Sequence, residues 1–551
     1  MIGYSGGLGD PQYGLTQIDF NMGKPILRFI PNSKIYLFEA NAVYSDENGK
    51  LLYYTNGYEI ENSDFKLMAN GDNLGVKYWS GLVSPQNVLF LPFPEKKDST
   101  LLFYPNLRRV SSDFYEIDLR YCLLNNSLNN GKGKIIERDK IIINDTLSEG
   151  GLTSCKHANG RDWWILMNEL NSNKFYKILI DPQGVSVMDT QLVGDVIIDG
   201  LGQSKFSPDG SFYAVYQSVS DSEGAYLYLY SFNRCNGMLS YIATQHINKS
   251  GWGGIEFSPN SRFLYHCSGL QLYQYDLHET ITLENRIEID TIIDRYLPWG
   301  SSYFLQQLGP DGRIYISNPY SSDIMHVINN PDQKGLGCNP TYNSFKLLTI
   351  NAGSISNMPN YRLGKIQGSI CDSLNIDNIP LAHWRYEQDT SNYLEFIFTD
   401  LSAYEVKQWC WNFGDPDSRV KNISMDKNPI HIFSKNGTYD VCLIVKNNNG
   451  ADTLCRTVKI GPMVSTHEGL TVPEIHVWPN PCEEFLIINV LDYNPQSMIL
   501  HFYNQFGILL KNESLYQGSN IVEMDQLLNG VYFIKVSENG NEIMSVKIIK
   551  L

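Results

Sequence analysis

Nothing in this chain reaches the ~18 consecutive apolar residues of a membrane-crossing helix. No long segment repeats its apolar residues with helical period, so helical bundles are not expected. The ten cysteines contain no Cys-x-x-Cys pair, which leaves zinc ribbons and thioredoxin-type redox sites without support. The ten histidines show neither His-x-x-x-His nor His-Glu-x-x-His spacing, so a catalytic zinc is not expected either. Basic residues are scarce, 43 against 59 acidic ones, for a net charge of −16. A phosphate-binding surface needs clustered Lys and Arg, so nucleic acid and anionic membrane are excluded as expected partners. No cofactor is expected. The opening Met1-Ile2-Gly3-Tyr4 lacks the basic and apolar regions of a signal peptide.

What is present is β chemistry. With 35 Tyr, 44 Gly and 24 Pro in 551 residues, the composition favours short strands and many turns. At 100–200 residues each, ~3 domains are expected. One phrase recurs in the first part: Phe206-Ser207-Pro208-Asp209-Gly210, Phe257-Ser258-Pro259-Asn260-Ser261 and Leu308-Gly309-Pro310-Asp311-Gly312, each followed by aromatic or aliphatic residues and set 51 residues apart. Fainter copies lie at Ser45–Gly49 and His157–Gly160. Strand, turn, strand at a period of 40–50 residues reads as a propeller blade. Turn markers near residues 49, 98, 160, 210, 260 and 311 give six blades. A seventh is assembled from both ends of the region: Asn357–Tyr361 as its inner strand, with Gly14–Phe20 and Pro25–Ile30 outside it. Six blades is the alternative. Residues 1–365 are thus assigned to a β-propeller, followed by a linker over 362–380.

The middle region holds Trp411-Asn412-Phe413-Gly414-Asp415, then Asn428-Pro429-Ile430-His431, then Gly437-Thr438-Tyr439-Asp440-Val441. Trp411 and Phe413 share one face at period two, as do Tyr439, Val441, Leu443 and Val445, which predicts an immunoglobulin-like sandwich over 381–461. This pattern resembles the polycystic-kidney-disease (PKD) domain, whose hallmark residues correspond here to Trp411, Phe413, Gly414, Asp415, Pro429, His431, Gly437 and Tyr439. Phe433 stands where that family commonly has Tyr. Cys442 and Cys455 fall directly opposite each other if the last hairpin turns at Asn448-Asn449, within disulfide reach. A turn at Asn449-Gly450 forbids the bond. Cys338 and Cys371 flank the end of the propeller, where a staple between them or two free thiols are both open.

The last eighty residues carry a rigid Trp478-Pro479-Asn480-Pro481, an apolar run Phe485–Val490, Phe506-Gly507, Gly530-Val531-Tyr532 and a closing run Val546–Leu551. Short β-branched runs punctuated by Pro, Asn and Gly predict a second small sandwich over 472–551, with Gly530 permitting a tight turn before Val531. The arrangement resembles the type A C-terminal sorting domain of the Bacteroidetes type IX secretion system, on Pro479, Asn480, Pro481, Gly507, Gly530, Tyr532 and a basic residue near the end, Lys547 or Lys550. That resemblance implies type IX machinery as a partner and delivery to the cell surface or beyond. The start is then trimmed or incomplete, the rival being a vestigial address. The first region also resembles the N-terminal propeller of Bacteroidetes surface proteins, through Gly49–Thr55, the turn Met68–Gly71 and Gln86, and its repeated phrase resembles that of TolB-like propellers. The chain is therefore expected to be all-β, a propeller followed by two immunoglobulin-like sandwiches.

For function, Gly3-Tyr4-Ser5-Gly6-Gly7 satisfies Gly-x-Ser-x-Gly but lacks the preceding strand of a nucleophile elbow, so it reads as a loop. Asp400, Asp415 and Asp417 lack the dense acidic run of a calcium loop and read as turn residues. Asp209 and Asp311 read as turn stabilisers. Trp163, Trp164, Trp252 and Trp299 are either inter-blade packing or a sugar-stacking platform. The expectation is a non-enzymatic exported protein whose propeller binds a glycan or a protein. The alternative is a carbohydrate-active hydrolase or lyase with its site in the channel. Two or three carboxylates meeting an Arg or His at one channel mouth favour the enzyme, and a mouth of Tyr, Asn and Ser favours binding.

Overall fold

The computed structural model describes residues 1–551 except 5–11, 76–81, 83, 111–112, 221, 249–250, 280, 293–301, 390, 462–473, 479–481, 483–484, 492–497, 505–507, 517, 526 and 539–540. The chain forms two compact units. Met1–Glu387, Phe396–Ile432 and Tyr439–Val458 make the first, and Gln388–Glu395, Phe433–Thr438 and Lys459–Leu551 the second.

The first unit opens with seven successive antiparallel sheets, which we number as blades. Blade 1 is Ile2–Gly3, Leu15–Asp19 and Ile26–Ile30; blade 2 is Ala42–Ser45, Leu51–Thr55 and Ile60–Asn62. Blades 3 to 7 have four strands each and begin with inner strands Leu89–Pro92, Thr153–Lys156, Leu201–Phe206, Gly253–Phe257 and Gln306–Leu308. A strand has two faces at period two, so each blade sends alternate residues to each neighbour. Trp163 packs towards Leu101 and Phe103 of blade 3, while the adjacent Trp164 packs towards Tyr213 and Tyr230 of blade 5. Seven apolar clusters fill the seven blade-to-blade seams, and two of them close the ring. Ile18 and Phe20 of blade 1 pack with Tyr315 and Met325 of blade 7, and Leu15 and Ile30 of blade 1 pack with Leu51 and Tyr54 of blade 2. This is a seven-bladed β-propeller.

The marked turns close hairpins as their chemistry requires. Gly49, Gly160, Gly210 and Gly312 take φ of +76°, +80°, +73° and +76°, and the Gly210 N–H donates to the Ser207 carbonyl at 2.8 Å. The seam between the chain ends differs from expectation. In blade 1, Leu15–Asp19 pairs with Ile2–Gly3 on one side and with Ile26–Ile30 on the other, not with Asn357–Tyr361. The Asn357 N–H instead donates to the Asn41 carbonyl at 2.8 Å, just ahead of blade 2. The physical reason is the Asn357 side chain. Its amide donates to the Val88 and Leu152 carbonyls at 2.9 and 2.8 Å, which holds this segment at the axis beside blades 3 and 4.

The linker is bound along the hairpin face of the propeller. Asn360 Nδ2 donates to the Pro208 carbonyl at 2.7 Å, the Ile366 N–H to the Ala158 carbonyl at 2.8 Å, and Arg234 to the Gly364 carbonyl. Cys371 is bonded to Cys235 in blade 5. It does not pair with Cys338, which is buried as a free thiol in the seam between blades 6 and 7.

The middle sandwich sets Trp384–Gln388, Glu395–Asp400 and Ile430–Ile432 against Ile423–Ser424, Gln408–Asn412, Gly437–Lys446 and Ala451–Ile460. Its core is aromatic. Trp384 and Trp411 meet edge to face at 5.7 Å, and Phe398 lies 5.2 Å from Phe413. Gly414 has φ +66°, and a Cβ there would sit 2.7 Å from the Asp440 carbonyl oxygen, so glycine is required. The last hairpin closes with the Asn447 N–H on the Gly450 carbonyl at 3.0 Å, a two-residue loop of Asn448-Asn449. Cys442 and Cys455 are bonded across it, Cα atoms 4.0 Å apart. Arg385 donates to the Asp311 and Asn329 carbonyls at 2.9 and 3.2 Å, and Arg456 to the Asn21 carbonyl at 2.9 Å, so this sandwich is docked on the propeller.

In the second unit, Glu474–Trp478, Phe485–Leu491 and Gly518–Glu523 form one sheet and Leu509–Leu515, Met498–Asn504, Gly530–Glu538 and Asn541–Lys550 the other. Leu486, Ile488, Leu500, Phe502, Ile534 and Ile548 meet between them. Gly530 has no left-handed φ and pairs with Lys550 as the first residue of its strand, so the expected tight turn at this glycine is not formed. Its backbone is ordinary β, which the pairing with Lys550 requires.

Candidate binding faces of the propeller

The inner strands end in the hairpin turns on one face and begin at the other. Near the axis they are joined by buried amides. Gln86 accepts from the Ser204 N–H at 2.7 Å and donates to the Ser204 carbonyl at 3.1 Å, linking the start of blade 3 to blade 5. Gln203 accepts from the Gln306 N–H at 2.8 Å, linking blade 5 to blade 7, and Gln306 donates to the Gly254 carbonyl at 2.8 Å. Blades that are not neighbours in the ring are therefore tied together by side chains near the axis. A buried amide is tolerated only when its donors and acceptors are used, and these largely are. The propeller presents two faces to consider, one at each end of the inner strands.

On the hairpin face Asp209 and Asp311 do turn work. Asp209 Oδ1 accepts from the Ser207 and Ser211 hydroxyls at 2.6 and 2.8 Å, and Asp311 accepts from the Tyr315 hydroxyl at 2.9 Å. Much of this face is covered by the linker and the middle sandwich.

The opposite face gathers acids and aromatic rings. The Glu149 carboxylate accepts from the Ser84 hydroxyl at 2.8 Å, and the Glu149 N–H donates to Asp199 Oδ1 at 3.1 Å. Burial raises the Asp199 carboxyl to about 6. Burial, then the charge of Glu149, raises the Glu39 carboxyl to about 8. Trp252 is 52% exposed, with ring contacts to Phe304 at 6.2 Å and to Tyr320, itself 49% exposed, at 6.4 Å. Tyr36 meets Tyr4 at 4.6 Å.

The residues singled out from the sequence distribute as follows. Trp163 and Trp164 are inter-blade packing, Trp252 is at the open face, and Trp299 lies outside the described residues, as do Ser5, Gly6 and Gly7 of the Gly-x-Ser-x-Gly match. Asp400 accepts from Trp409 Nε1 at 2.8 Å, and Asp415 faces His431 at 3.3 Å. Among the described residues no three His, Cys, Asp or Glu gather as a metal site. His431 stacks on Phe413 at 4.0 Å, and burial lowers its pKa. Trp411 Nε1 donates to the Asp426 carbonyl at 3.0 Å, the Pro429 carbonyl accepts from the Phe398 N–H at 2.9 Å, and Gly437 and Tyr439 sit on one strand of the core sheet. Pro479, Asn480, Pro481 and Gly507 lie outside the described residues. Tyr532 is buried and donates to the Leu528 carbonyl at 2.6 Å. Lys547 is exposed and Lys550 buried, the latter pairing in register with Gly530.

Glu39, Glu149 and Asp199 were not found from the sequence, because each stands alone in a loop between blades with no spacing to mark it. Lys205, Glu256 and Gln307 were legible in principle. They fall 51 residues apart, polar residues at equivalent places just before each repeated turn.

Residues 384–461 match the family model described as PKD domain, and residues 476–550 match the one described as Secretion system C-terminal sorting domain. Comparison with curated proteins finds no match. Among solved structures, the PKD1 domain of Vibrio anguillarum Epp is 21% identical, covering 15% of this chain and 96% of its own, with a TM-score of 0.13. A putative 6-phosphogluconolactonase from Bacteroides fragilis is 13% identical, covering 56% and 96%, with a TM-score of 0.28. The extracellular domain of a putative hybrid two-component system from B. thetaiotaomicron is 11% identical, covering 94% and 56%, with a TM-score of 0.32. The chain thus carries a propeller, a PKD domain and a type IX sorting domain, which implies secretion across the outer membrane. Among the described residues no helix is long and apolar enough to cross a membrane.

Proposed function

We propose that this protein is a type IX cargo that binds a glycan or a protein at or beyond the cell surface, through the propeller face opposite the PKD domain. The observation that carries the reading is the pair Trp252 and Tyr320, two large rings left about half exposed and 6.4 Å apart beside the inner strands. Aromatic rings with a wet edge supply much of the energy at recognition surfaces. The hairpin face is occupied by the chain itself, which leaves this one for a large partner. A second reading, a hydrolase or lyase, draws on Glu39 and Asp199, which hold protons at a higher pH than ordinary carboxyls beside Glu149. We rank it second because the exposed Trp252 and Tyr320 rings are a recognition feature that turnover at these carboxyls leaves unexplained.

The test is binding of the intact protein to an array of glycans and surface proteins, repeated with Trp252→Ala. The expected result is a bound class whose affinity falls at least about tenfold in the variant, as for a ring at the centre of an interface. Unchanged binding by Trp252→Ala removes the open face from the account.

A further inference from the structure

The hairpin face is not filled completely. Between it, the linker and the PKD domain lies a cavity of about 2010 Å³, all of it within the first unit. Arg362 of the linker lines it, with His383 and Tyr404 of the PKD domain. The linker backbone is fixed on both sides of Arg362. The Tyr361 hydroxyl donates to the Phe90 carbonyl at 2.8 Å, the Arg362 N–H to Asn360 Oδ1 at 3.0 Å, and Arg234 holds the Gly364 carbonyl. The Arg362 side chain is exposed to the cavity, and its guanidinium makes no hydrogen bond or ion pair among the described residues.

Tyr404 reaches the same place from the PKD domain. Its φ of +71° and that of Glu405, +51°, are left-handed, a conformation that is costly for residues other than glycine. The Tyr404 carbonyl accepts from Asn447 Nδ2 at 2.8 Å, which pins the bend. The ring packs onto the linker: a Cβ on Gly364, two residues beyond Arg362, would sit 3.0 Å from Tyr404 Cδ1. The Tyr404 hydroxyl is also without a hydrogen bond among the described residues. A second cation adds to the charge. Arg456 is 7% exposed and donates to the Asn21 and Trp384 carbonyls and to His383 Nδ1, not to a carboxylate. His383 stays neutral, since burial and then the two arginines lower its pKa to about 3. Burial lowers the Arg362 pKa as well, and the group that opposes this is the Tyr404 hydroxyl rather than an acid. The joint thus holds two guanidinium charges with no carboxylate on either, and one of them faces open space.

We propose that Arg362 and Tyr404 form an anion site in this cavity and that it takes an oligosaccharide carrying one carboxylate, a uronate. An unpaired charge walled by protein is costly, and a ligand carboxylate supplies the missing partner. The guanidinium fork matches a carboxylate with two parallel N–H bonds, and the Tyr404 hydroxyl adds a third donor. The rest of the lining mixes signs, with Lys96 and Lys427 beside Asp332 and Glu405. A sugar hydroxyl both donates and accepts, so it pairs with either sign, whereas a polyanionic chain would meet those acids. The volume exceeds the ~300–1,000 Å³ of a single small-molecule pocket, so sugar units beyond the acidic one fit. The site shares no residue with the open face and does not rest on its reading.

The experiment is calorimetric titration of the full chain with glucuronosyl-xylotriose, cellobiouronate and the hyaluronan disaccharide, each beside its neutral parent sugar, and with an oligoglutamate peptide. It is run on wild type, Arg362→Met, Tyr404→Phe and Trp252→Ala. The proposal expects at least one uronate to bind wild type and Trp252→Ala alike, at least about tenfold more tightly than its neutral parent, as for a charge-assisted pair. Arg362→Met is expected to lose that factor of about ten and Tyr404→Phe at least about threefold. Arg362→Met removes an unpaired charge, so its thermal midpoint is expected to equal or exceed that of wild type, which separates loss of the site from loss of the fold. No binding of any uronate, equal binding of the neutral parents, tighter binding of the peptide, binding that Trp252→Ala abolishes, or a smaller loss in either cavity variant overturns the proposal. Because the open face is read through Trp252 alone, the two sites fail separately.

Discussion

A chain ending at Ser545 is expected to stay in the periplasm. The lost residues Val546–Leu551 are half of the last strand, which pairs Tyr532 with Ile548 and Ile534 with Val546. They also carry the contacts that close the domain: the Cys482 N–H donates to the Ile549 carbonyl and the Leu551 N–H to the Cys482 carbonyl, both at 2.9 Å. Ile548 is fully buried between the two sheets. Deleting a large core aliphatic costs about 2–5 kcal/mol by itself, a large share of the stability of a domain this small. The strand Gly530–Glu538 would in addition become an unpaired edge along the truncated stretch. The propeller belongs to the other compact unit and is expected to remain folded. Fractionation in a host with an intact pathway should therefore find a folded, soluble, undelivered protein. Delivery of the truncated chain at the wild-type level would show that the C-terminal domain is not the address.

The second large effect concerns acid. His266 is fully buried between Tyr216 at 4.8 Å and Tyr273 at 5.8 Å, and neither ring nitrogen has a partner. Burial, with a smaller push from Arg286, lowers its pKa to about 3. Above the unfolded value of about 6.5 the ring is neutral in both states and costs nothing. Below it the unfolded chain takes up a proton that the folded chain refuses, so stability falls by about 1.4 kcal/mol per pH unit until the folded value is reached. At pH 4.5 the loss is about 3 kcal/mol. His326, lowered to about 4, and His383, lowered to about 3, act in the same direction. Glu39 and Asp199 act in the opposite one, since their raised values give stability that is lost as pH rises. His266→Phe isolates one term: near-wild-type stability at pH 8 and a clear gain at pH 4.5 by denaturant titration. An equal pH dependence in both proteins would refute the assignment.

The blades were legible because their turns repeat the same chemistry every 51 residues, and the seams follow from strand alternation. The PKD core was legible for a similar reason, Trp411 and Phe413 standing two apart on one strand. The ring closure was not. Where Asn357 lies is decided by side-chain bonds to Val88 and Leu152, hundreds of residues earlier, which no local pattern encodes. The Cys235–Cys371 bond was missed for the same reason, since its partners meet only once the linker crosses blade 5. The acids at the open face come from three separate loops, and only folding makes them neighbours.

The account's central claim is recognition without turnover. It is tested most directly by incubating the intact, secreted protein with the glycans it retains and analysing them by mass spectrometry. The account predicts that they remain bound and of unchanged length, with binding weakened in Trp252→Ala. Shortened or unsaturated products that disappear in Glu149→Gln would contradict it and make the open face an active site.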